Sequence, residues 1–385
     1  MEFMIDDTIA KLDLQNHLLY IDGEAYSLPD NKSYKAKKIY LKITDDCNLN
    51  CTYCFQNKDK KGDVKDWDIY DYKNIIDLLK KEDDAIFVLF GGEPLLDENL
   101  EKIKSLMDEF DAEDRQFDLE HRKFLIYTNG NYSPLIASFL HDNKEKILPV
   151  ITIDGCENDH NSRRINPQGN SYRNIIENCK GLVQESIPFY IQVNIDRKNI
   201  SNIEGLLIEI DELLNSPTGV VLNKVLREED SITEQELLAL YLSLQKKNFR
   251  NYLSVNSNVL WNVTSIFSRK QLEVERCSVG NTKVIDFSSH TIYACPQCAS
   301  TQIGYFDKDH IVLNDEKVAE YVQTCGKNAD PECLTCDLKY ICSEGCVLVN
   351  KQDDCRANAT DILKIILENS SIFFNQLEIK NSLAN

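Results

Sequence analysis

The stretch from Thr44 to Gln56, TDDCNLNCTYCFQ, carries Cys47, Cys51 and Cys54 in C-x3-C-x2-C spacing. These offsets bring three thiolates to one side of a single turn of chain, whether that turn is helical or a tight loop. A closed zinc site or a fully ligated cluster uses four protein ligands. Three thiolates therefore favour a four-iron, four-sulfur (4Fe-4S) cluster whose fourth iron binds an exchangeable ligand. A zinc site or a chance grouping of cysteines is the alternative.

Two strands are predicted beside this stretch. Residues 38–44, KIYLKIT, alternate apolar and polar side chains, so the cysteines follow the C-terminal end of a strand. Residues 85–90, AIFVLF, are continuously apolar, as in a parallel strand buried on both faces, and lead directly into the sequence GGEP. Gly91 and Gly92 allow close approach of the backbone to a ligand, and Glu93 supplies an acceptor for an ammonium group.

With these two motifs together, the sequence resembles the radical S-adenosylmethionine (radical SAM) enzymes. In that resemblance CNLNCTYC is the cluster loop, and the amino group of the cofactor's methionine moiety is held by Gly91, Gly92, Glu93 and Pro94. The resemblance implies a 4Fe-4S cluster and S-adenosylmethionine, which together yield a 5'-deoxyadenosyl radical that abstracts hydrogen from the substrate. It also implies an external one-electron reductant such as flavodoxin or ferredoxin.

An alternation of strands and helices predicts the fold independently. Six apolar stretches are each followed by a helical pattern, which indicates a parallel sheet with helices outside it. The strands are predicted at 38–44, 85–90, 123–128, 149–153, 189–195 and 219–226, and the helices near 68–80, 98–110, 133–142, 171–185, 199–214 and 232–247. The fold class is therefore α/β, and the resemblance specifies a partial (β/α)6 TIM-like barrel. Active sites of such sheets lie at the carboxyl ends of the strands.

Polar residues near these strand ends extend the resemblance. Asn129 lies in a Thr-Asn-Gly turn that is near the active site in the family. Thr152 and Arg164 correspond to partners of the methionine carboxylate, and an arginine fork suits a carboxylate because it can bind both oxygens. Tyr53 and Asn194 correspond to contacts of the adenosine. The alternatives are ordinary turn residues, core packing and, for one of two adjacent arginines, a surface position.

A second group of cysteines lies between Cys277 and Cys355, where nine of the chain's fourteen cysteines fall. Their spacing resembles the SPASM extension of radical SAM enzymes that modify peptides and proteins, which holds two auxiliary 4Fe-4S clusters. The resemblance assigns the first auxiliary cluster to Cys277, Cys295 and Cys346. It assigns the second auxiliary cluster to Cys333, Cys336, Cys342 and Cys355. Structural zinc is the alternative for this region.

This region departs from the family pattern at two positions. His290 stands where the family has a glycine, and Lys283 stands where some members place a further cysteine ligand. The first auxiliary cluster then either keeps an open iron, which could bind a substrate thiolate, or recruits Cys298 or Cys325.

The composition argues against other classes of protein. A net charge of -20 without a basic patch argues against nucleic-acid binding. The acidic N-terminus lacks the features of a signal peptide, and no apolar run is long enough to span a membrane, so we expect a cytoplasmic protein. In that compartment fourteen cysteines favour metal ligands over disulfides.

Five segments are expected in the chain. They are a hairpin or meander at 1–35, the radical SAM barrel at 36–250, a bridge at 251–276, the SPASM domain at 277–358 and a C-terminal helix at 359–385. The first segment either closes one end of the barrel or offers an edge to which a substrate peptide adds a strand.

The expected activity is maturation of a ribosomally made precursor peptide, bound through a leader segment, by installation of a thioether or another crosslink. An anaerobic sulfatase maturase, which oxidises a cysteine or serine to formylglycine, is the alternative. Those enzymes usually place an aspartate directly after the second upstream cysteine, whereas here Pro296 follows Cys295. A non-catalytic iron-sulfur scaffold is a third hypothesis.

Overall fold

The structure, a computed structural model, covers most of the chain. The described residues are 2–5, 8–13, 18–27, 38–56, 73–79, 85–111, 124–226, 229–269, 282–308, 310–325, 331–342 and 355–373. Within these ranges no helix has both the length and the apolar character needed to cross a membrane.

A small antiparallel sheet begins the chain. Its four strands are adjacent in the order β1 (Glu2–Ile5), β2 (Thr8–Asp13), β3 (Leu18–Ile21) and β4 (Glu24–Ser27). Asp22 and Gly23 form the turn between β3 and β4. Both have positive φ angles, 49° and 86°, as a two-residue hairpin turn of this kind requires. The described part of the segment before the barrel is therefore a meander.

Strands and helices alternate through the central segment, because apolar runs form strands and amphipathic runs form the helices between them. In chain order these elements are β5 (Lys38–Thr44), β6 (Asn50–Cys51), α1 (Lys73–Leu79), β7 (Ile86–Gly91), α2 (Leu100–Asp111), β8 (Phe124–Thr128), α3 (Pro134–Asp142), β9 (Ile147–Thr152), α4 (Glu157–Arg163), β10 (Arg164–Ile165), α5 (Ser171–Gln184), β11 (Tyr190–Ile195), α6 (Ile203–Leu214), β12 (Gly219–Lys224), α7 (Glu234–Gln245), β13 (Tyr252–Val255) and α8 (Asn258–Arg269). Parallel pairing joins the main strands in the order β13, β12, β11, β9, β8, β7 and β5. The predicted α/β class is confirmed.

Packing and capping fix the helices against this sheet. The rings of Phe87, Phe110 and Phe124 join β7, α2 and β8, with centroids 4.7 to 5.9 Å apart. At the start of α7, the Glu236 amide donates to the Thr233 hydroxyl at 3.1 Å, and the Thr233 amide donates to the Glu236 carboxylate at 2.7 Å. This capping box satisfies backbone donors that the first helical turn leaves unpaired.

The segment 251–276, predicted as a bridge, contributes to the sheet in its described part. β13 pairs in parallel with β12, from Tyr252 opposite Gly219 to Val255 opposite Leu222. Four residues are too few for hydrophobic periodicity to distinguish a strand from a loop. The parallel sheet is therefore larger than the six strands expected from the sequence.

The C-terminal region continues the same sheet. Its elements are β14 (Thr282–Asp286), β15 (Thr291–Tyr293), β16 (Gln302–Phe306), β17 (Ile311–Leu313), α9 (Asp315–Cys325), α10 (Pro331–Leu334) and α11 (Cys355–Glu368). β14 pairs in parallel with β5, and β15 to β17 follow as antiparallel strands, so the described sheet has eleven strands. His290, between β14 and β15, has a φ of 58°, the left-handed conformation that favours glycine. This conformation accounts for the glycine expected there.

The helix predicted for the C-terminal tail begins earlier than residue 359. α11 starts at Cys355 and packs against α7 and α8. Beyond it, Phe373 stacks on Tyr241 of α7 with ring centroids 5.6 Å apart. The tail is thus anchored to the outer helices, and α11 begins with one of the predicted cluster ligands, Cys355.

Candidate functional site

The cysteine loop leaves the carboxyl end of β5. Within the loop, β6 pairs antiparallel with β10, which places Cys51 opposite Arg164. A further backbone hydrogen bond runs from the amide of Thr52 to the carbonyl of Arg163, at 2.8 Å. The loop is therefore joined directly to the segment that carries the predicted carboxylate partner of the cofactor.

The GGEP segment also holds the cysteine loop. The amide of Gly92 donates to the Thr44 carbonyl at 2.8 Å, and the amide of Glu93 donates to the Asp46 carbonyl at 2.7 Å. A Cβ atom on Gly91 would lie 2.2 Å from the Thr44 carbonyl oxygen, and one on Gly92 would lie 2.1 Å from that of Asp46. The glycines therefore allow close approach to the cysteine loop, and their predicted approach to a ligand stays a prediction.

We expect Gly92→Ala to reduce the iron bound after anaerobic reconstitution and to lower the thermal midpoint. The added methyl group would overlap backbone oxygen atoms of the cysteine loop, and overpacking of this kind costs about 1–3 kcal/mol. Gly181→Ala is the matched control, because it lies in α5 and a Cβ atom there meets no atom within 4 Å. That substitution should stabilise the chain by about 0.5–1 kcal/mol. Equal iron contents and midpoints in the two variants would contradict the role assigned to Gly92.

Glu93 is buried between the loop and β8, with 1% of the residue exposed. Its Oε1 accepts from the Leu95 amide at 2.9 Å and from the Thr128 hydroxyl at 2.7 Å, and its Oε2 accepts from the Asn129 amide at 2.6 Å. Burial raises the pKa of Glu93, while these three donors favour its ionised form. Because a carboxylate oxygen has two lone pairs, Oε2 retains one acceptor position for an ammonium group. Pro94, also buried, follows directly.

The Thr-Asn-Gly turn after β8 connects Glu93 to the cysteine loop. The side chain of Asn129 donates to Asn48 Oδ1 at 2.7 Å and lies 3.9 Å from Cys47 Sγ. Asn48 in turn donates to the carbonyl of Asn131 at 2.8 Å. Asn129 thus contacts both the predicted acceptor of the cofactor's amino group and a predicted cluster ligand.

A second polar cluster, formed around buried Asp154 and Arg164, contains three of the residues predicted to bind the cofactor. The Tyr53 hydroxyl donates to Asp154 Oδ2. Arg164 Nη1 donates to the Tyr53 oxygen at 2.6 Å and lies 3.7 Å from Asp154 Oδ2. The Asn194 amide donates to Asp154 Oδ1 at 2.9 Å, and its side chain donates to Tyr53 at 3.3 Å. Tyr53, Arg164 and Asn194 are therefore held together by one carboxylate that sequence reasoning did not assign.

Both adjacent arginines are buried, so the surface alternative is wrong for this pair. Arg163 Nη1 donates to both carboxylate oxygens of Asp196 at 2.6 Å, and its guanidinium carbon lies 5.0 Å from the centroid of the Tyr53 ring. Among the described residues, the Nε atoms of both arginines lack a hydrogen-bond partner. Arg164 therefore retains donor capacity for a further carboxylate.

Sequence reasoning did not single out Asp154, Asp196 or Asn199. The Asn199 side chain donates to the Asp154 carbonyl at 2.7 Å, and the Asp196 amide donates to Asn199 Oδ1 at 2.9 Å. Asp154 follows the carboxyl end of β9, and Asp196 and Asn199 follow that of β11. This position after a strand was the signal in the sequence that could have indicated them as site residues. Thr152, predicted to bind the methionine carboxylate, is the buried last residue of β9, and its role stays a prediction.

His160 in α4 supports this cluster from a fully buried position. Its Nδ1 accepts from the Asp154 amide at 3.4 Å, and its ring lies edge-on to Tyr172 with centroids 5.5 Å apart. Burial lowers the pKa of His160 to about 3, and the charges of Arg164 and Arg163 act in the same direction. A histidine in the unfolded chain has a pKa of about 6.5. The unfolded chain therefore binds more protons, and stability falls as the pH drops below that value.

As the pH falls from about 6.5 to about 5.5, we expect the free energy of unfolding to decrease by about 1 kcal/mol because His160 takes up a proton in the unfolded chain only. In His160→Gln this part of the pH dependence should disappear. His141→Gln, which changes a half-exposed histidine, should retain it. Unfolding midpoints measured against pH compare the three proteins, and identical pH dependence in wild type and His160→Gln would contradict the expectation.

The three loop cysteines fit a 4Fe-4S cluster by their chemistry. Burial raises the pKa of Cys51 to about 12; Arg164 lowers it, whereas Asp154, Cys54 and Cys47 raise it further. A bound metal ion stabilises the thiolate, so thiols with a raised pKa are still deprotonated when they bind metal. Within the described ranges, no three Cys, His, Asp or Glu side chains converge on one metal ion. A cluster does not require that convergence, because its thiolates bind different iron atoms.

Four predicted auxiliary ligands lie together in the C-terminal region. The side chains that line one pocket there include Cys333, Cys336, Cys342 and Cys355. The Cys336 amide donates to the Cys333 carbonyl at 3.3 Å, and Asn262 of α8 donates to the Cys342 carbonyl at 3.3 Å. The structure thus brings together the set that the resemblance assigned to the second auxiliary cluster.

The set assigned to the first auxiliary cluster is described only in part. Cys295 follows β15, and the amide of buried Cys298 donates to its carbonyl at 3.2 Å, which closes a tight turn. Cys277 and Cys346 lie outside the described residues, as does the side chain of Cys325. The ligands of this cluster therefore stay predictions.

Comparison with known sequences agrees with this geometry. Residues 41–209 match the family model of the Radical SAM superfamily, so this segment is a radical SAM domain. An uncharacterized protein of Methanocaldococcus jannaschii is 34% identical over 175 residues, which span 44% of this chain and only 56% of that protein. The radical SAM cyclopropyl synthase TigE of Paramaledivibacter caminithermalis is 22% identical over 336 residues, which span 81% of this chain and 68% of that protein.

Solved structures share the fold. The sulfatase maturase anSMEcpe, with bound AdoMet and the Kp18Cys peptide, aligns with a TM-score of 0.63 at 17% identity, over 90% of this chain and 99% of that chain. SuiB of Streptococcus suis, bound to S-adenosylmethionine, aligns with a TM-score of 0.58 at 15% identity, over 81% of this chain and 73% of that chain. At these identities the likeness establishes the fold alone.

Proposed function

We propose that this chain, whose residues 41–209 form a radical SAM domain, is a peptide maturase that uses a 4Fe-4S cluster and S-adenosylmethionine. One observation carries the proposal. Backbone hydrogen bonds join the cysteine loop both to the segment of Glu93 and to that of Arg164, in a chain that also has a pocket lined by four further cysteines. When bound, the reduced cluster and S-adenosylmethionine supply a 5'-deoxyadenosyl radical that abstracts a hydrogen atom from the substrate.

The chain's own residues bind and orient the cofactor in this proposal. Glu93 Oε2 accepts a hydrogen bond from the methionine ammonium at its remaining acceptor position. Arg164, fixed by Tyr53 and Asp154, binds the methionine carboxylate. Glu93, Arg164 and Asp154 are buried, and this burial would keep water away from the reacting atoms. Hydrogen-atom abstraction itself requires no general base.

The proposed substrate is a ribosomally made precursor peptide, bound through a leader segment, in which a thioether or another crosslink is formed. SuiB has been solved bound to the precursor peptide SuiA, which supports a peptide substrate. TigE is a cyclopropyl synthase, which supports crosslinks other than thioethers. The pocket of four cysteines supports the proposal as well, because an auxiliary cluster there would accept the electron released when the product bond forms. Flavodoxin or ferredoxin is the proposed reductant of the loop cluster.

Sulfatase maturation is the second candidate, because anSMEcpe aligns over 99% of its own length. Pro296 disfavours it, since proline cannot take up a proton at the position where those enzymes usually have an aspartate.

Anaerobic incubation with dithionite, S-adenosylmethionine and a synthetic peptide tests the proposal. The peptide is the product of a short reading frame beside the gene, and a thioether product should lose two hydrogen atoms, keep its sulfur and resist thiol alkylation. An aldehyde formed on a cysteine peptide from a sulfatase, trapped by a hydrazide, would instead support sulfatase maturation. A chain that carries its clusters but cleaves no S-adenosylmethionine would be the non-catalytic scaffold.

A further inference from the structure

A lysine shares the pocket of the four C-terminal cysteines. The residues that line this pocket include Lys339, Cys333, Cys336, Cys342 and Cys355. Only 8% of Lys339 is exposed, a degree of burial that is rare for lysine. Its ammonium lies 5.8 Å from the centroid of the Tyr340 ring, and no carboxylate in the described part of the chain forms an ion pair with it.

The backbone around Lys339 is held in place by several hydrogen bonds. The Lys339 amide donates to the Cys336 carbonyl at 3.2 Å, and the Cys342 amide donates to the Leu338 carbonyl at 2.9 Å. From outside the turn, the Asn262 side chain donates to the Ile341 carbonyl at 3.0 Å. The lysine is therefore part of the same rigid turn that carries two of the cysteines.

A buried ammonium is unfavourable unless an anion compensates its charge. The other cation at the pocket, Arg356, is largely exposed and pairs with Asp337 at 2.9 Å, so its charge is already compensated. Lys339 has no such partner among the described residues. The pocket that Lys339 helps to line also contains four thiols, which become anionic when they bind iron.

We propose that Lys339 is the counter-charge of an iron-sulfur cluster held by these four cysteines and raises the reduction potential of that cluster. The inference rests on the proposed function, which assigns the four cysteines to the second auxiliary cluster. Reduction adds one electron to a group that is already anionic, so a fixed positive charge nearby favours the reduced form. The effect is in the direction that electron uptake from a product requires.

A redox titration of the full chain, followed by electron paramagnetic resonance, tests this inference. The background carries Cys47→Ala, Cys51→Ala and Cys54→Ala, which removes the signal of the loop cluster. Adding Cys333→Ala then identifies the signal that depends on the pocket. In Lys339→Met we expect the one-electron equilibrium to shift at least tenfold toward the oxidised cluster. This shift corresponds to a reduction potential that is lower by about 59 mV or more.

Two control variants isolate the effect of charge. Lys339→Arg keeps the charge and should shift the equilibrium by less than about threefold. Lys364→Met removes an exposed lysine from the helix that begins with Cys355, and it should leave the potential unchanged.

The possible outcomes separate the two levels of the proposal. An unchanged potential in Lys339→Met, with full iron content, would overturn the role of Lys339 while the cluster assignment stands. If Cys333→Ala changes neither iron content nor spectrum, the pocket holds no cluster and both fail. If Lys339→Met and Lys339→Gln lose the cluster, its retention in Lys339→Arg supports the counter-charge, whereas its loss there overturns it.

Discussion

Replacing Cys47, Cys51 and Cys54 together by alanine should lower the iron content from about twelve to about eight atoms per chain, at four irons per cluster. The same variant should release no 5'-deoxyadenosine from S-adenosylmethionine. The loop supplies three thiolates, and without them one cluster has no anchor while the C-terminal cysteines remain intact. Iron and acid-labile sulfide after anaerobic reconstitution, together with chromatography of the nucleoside product, measure both effects.

Cysteines outside the predicted sets provide the control for this experiment. Cys156 precedes α4 and Cys179 is buried within α5, so Cys156→Ala and Cys179→Ala should keep about twelve irons. A wild-type content of about four irons that falls to none in the triple variant, with zinc bound instead, would be a different result. It would mean that the C-terminal cysteines form a zinc site, and the auxiliary-cluster and Lys339 proposals would be wrong.

The parts of the site that could be predicted from the sequence are those that lie within one short stretch. The cysteine spacing and the GGEP sequence each fix their chemistry over a few residues, and their placement after β5 and β7 follows from the apolar runs before them. Contacts between distant segments could not be predicted, because they depend on strand register. The pairing of Cys51 with Arg164, and the bond from Tyr53 to Asp154, belong to this second group.

The two adjacent arginines show why local pattern was insufficient. Arg163 ends α4 and Arg164 begins β10, so their side chains leave the backbone in different directions and meet different partners. Arg163 is paired with Asp196, whereas Arg164 meets Tyr53 and Asp154. Both arginines are buried and each lies near a carboxylate. Neither hydrophobic periodicity nor residue type could therefore predict which of the two meets Tyr53 and Asp154.

Glu93→Gln should weaken the binding of S-adenosylmethionine about tenfold to a hundredfold, because hydrogen bonds to charged groups contribute about 1.5–3 kcal/mol. Glutamine removes the negative charge and turns an amide donor toward groups that already donate to Glu93. The backbone amide of this residue still bonds the Asp46 carbonyl, so the cysteine loop and the iron content should be preserved. Anaerobic titration calorimetry of the reconstituted protein measures the affinity.

Thr128→Val is the matched control for Glu93→Gln. It removes one donor to Oε1 and the hydroxyl that accepts from the Gly130 amide, but it leaves the carboxylate and the open position of Oε2. The affinity should therefore change by less than about threefold. An unchanged affinity in Glu93→Gln at full iron content would show that the cofactor's ammonium binds elsewhere. An equal loss in both variants would show that Glu93 acts by holding the turn after β8, because only that role depends on both Thr128 and the carboxylate.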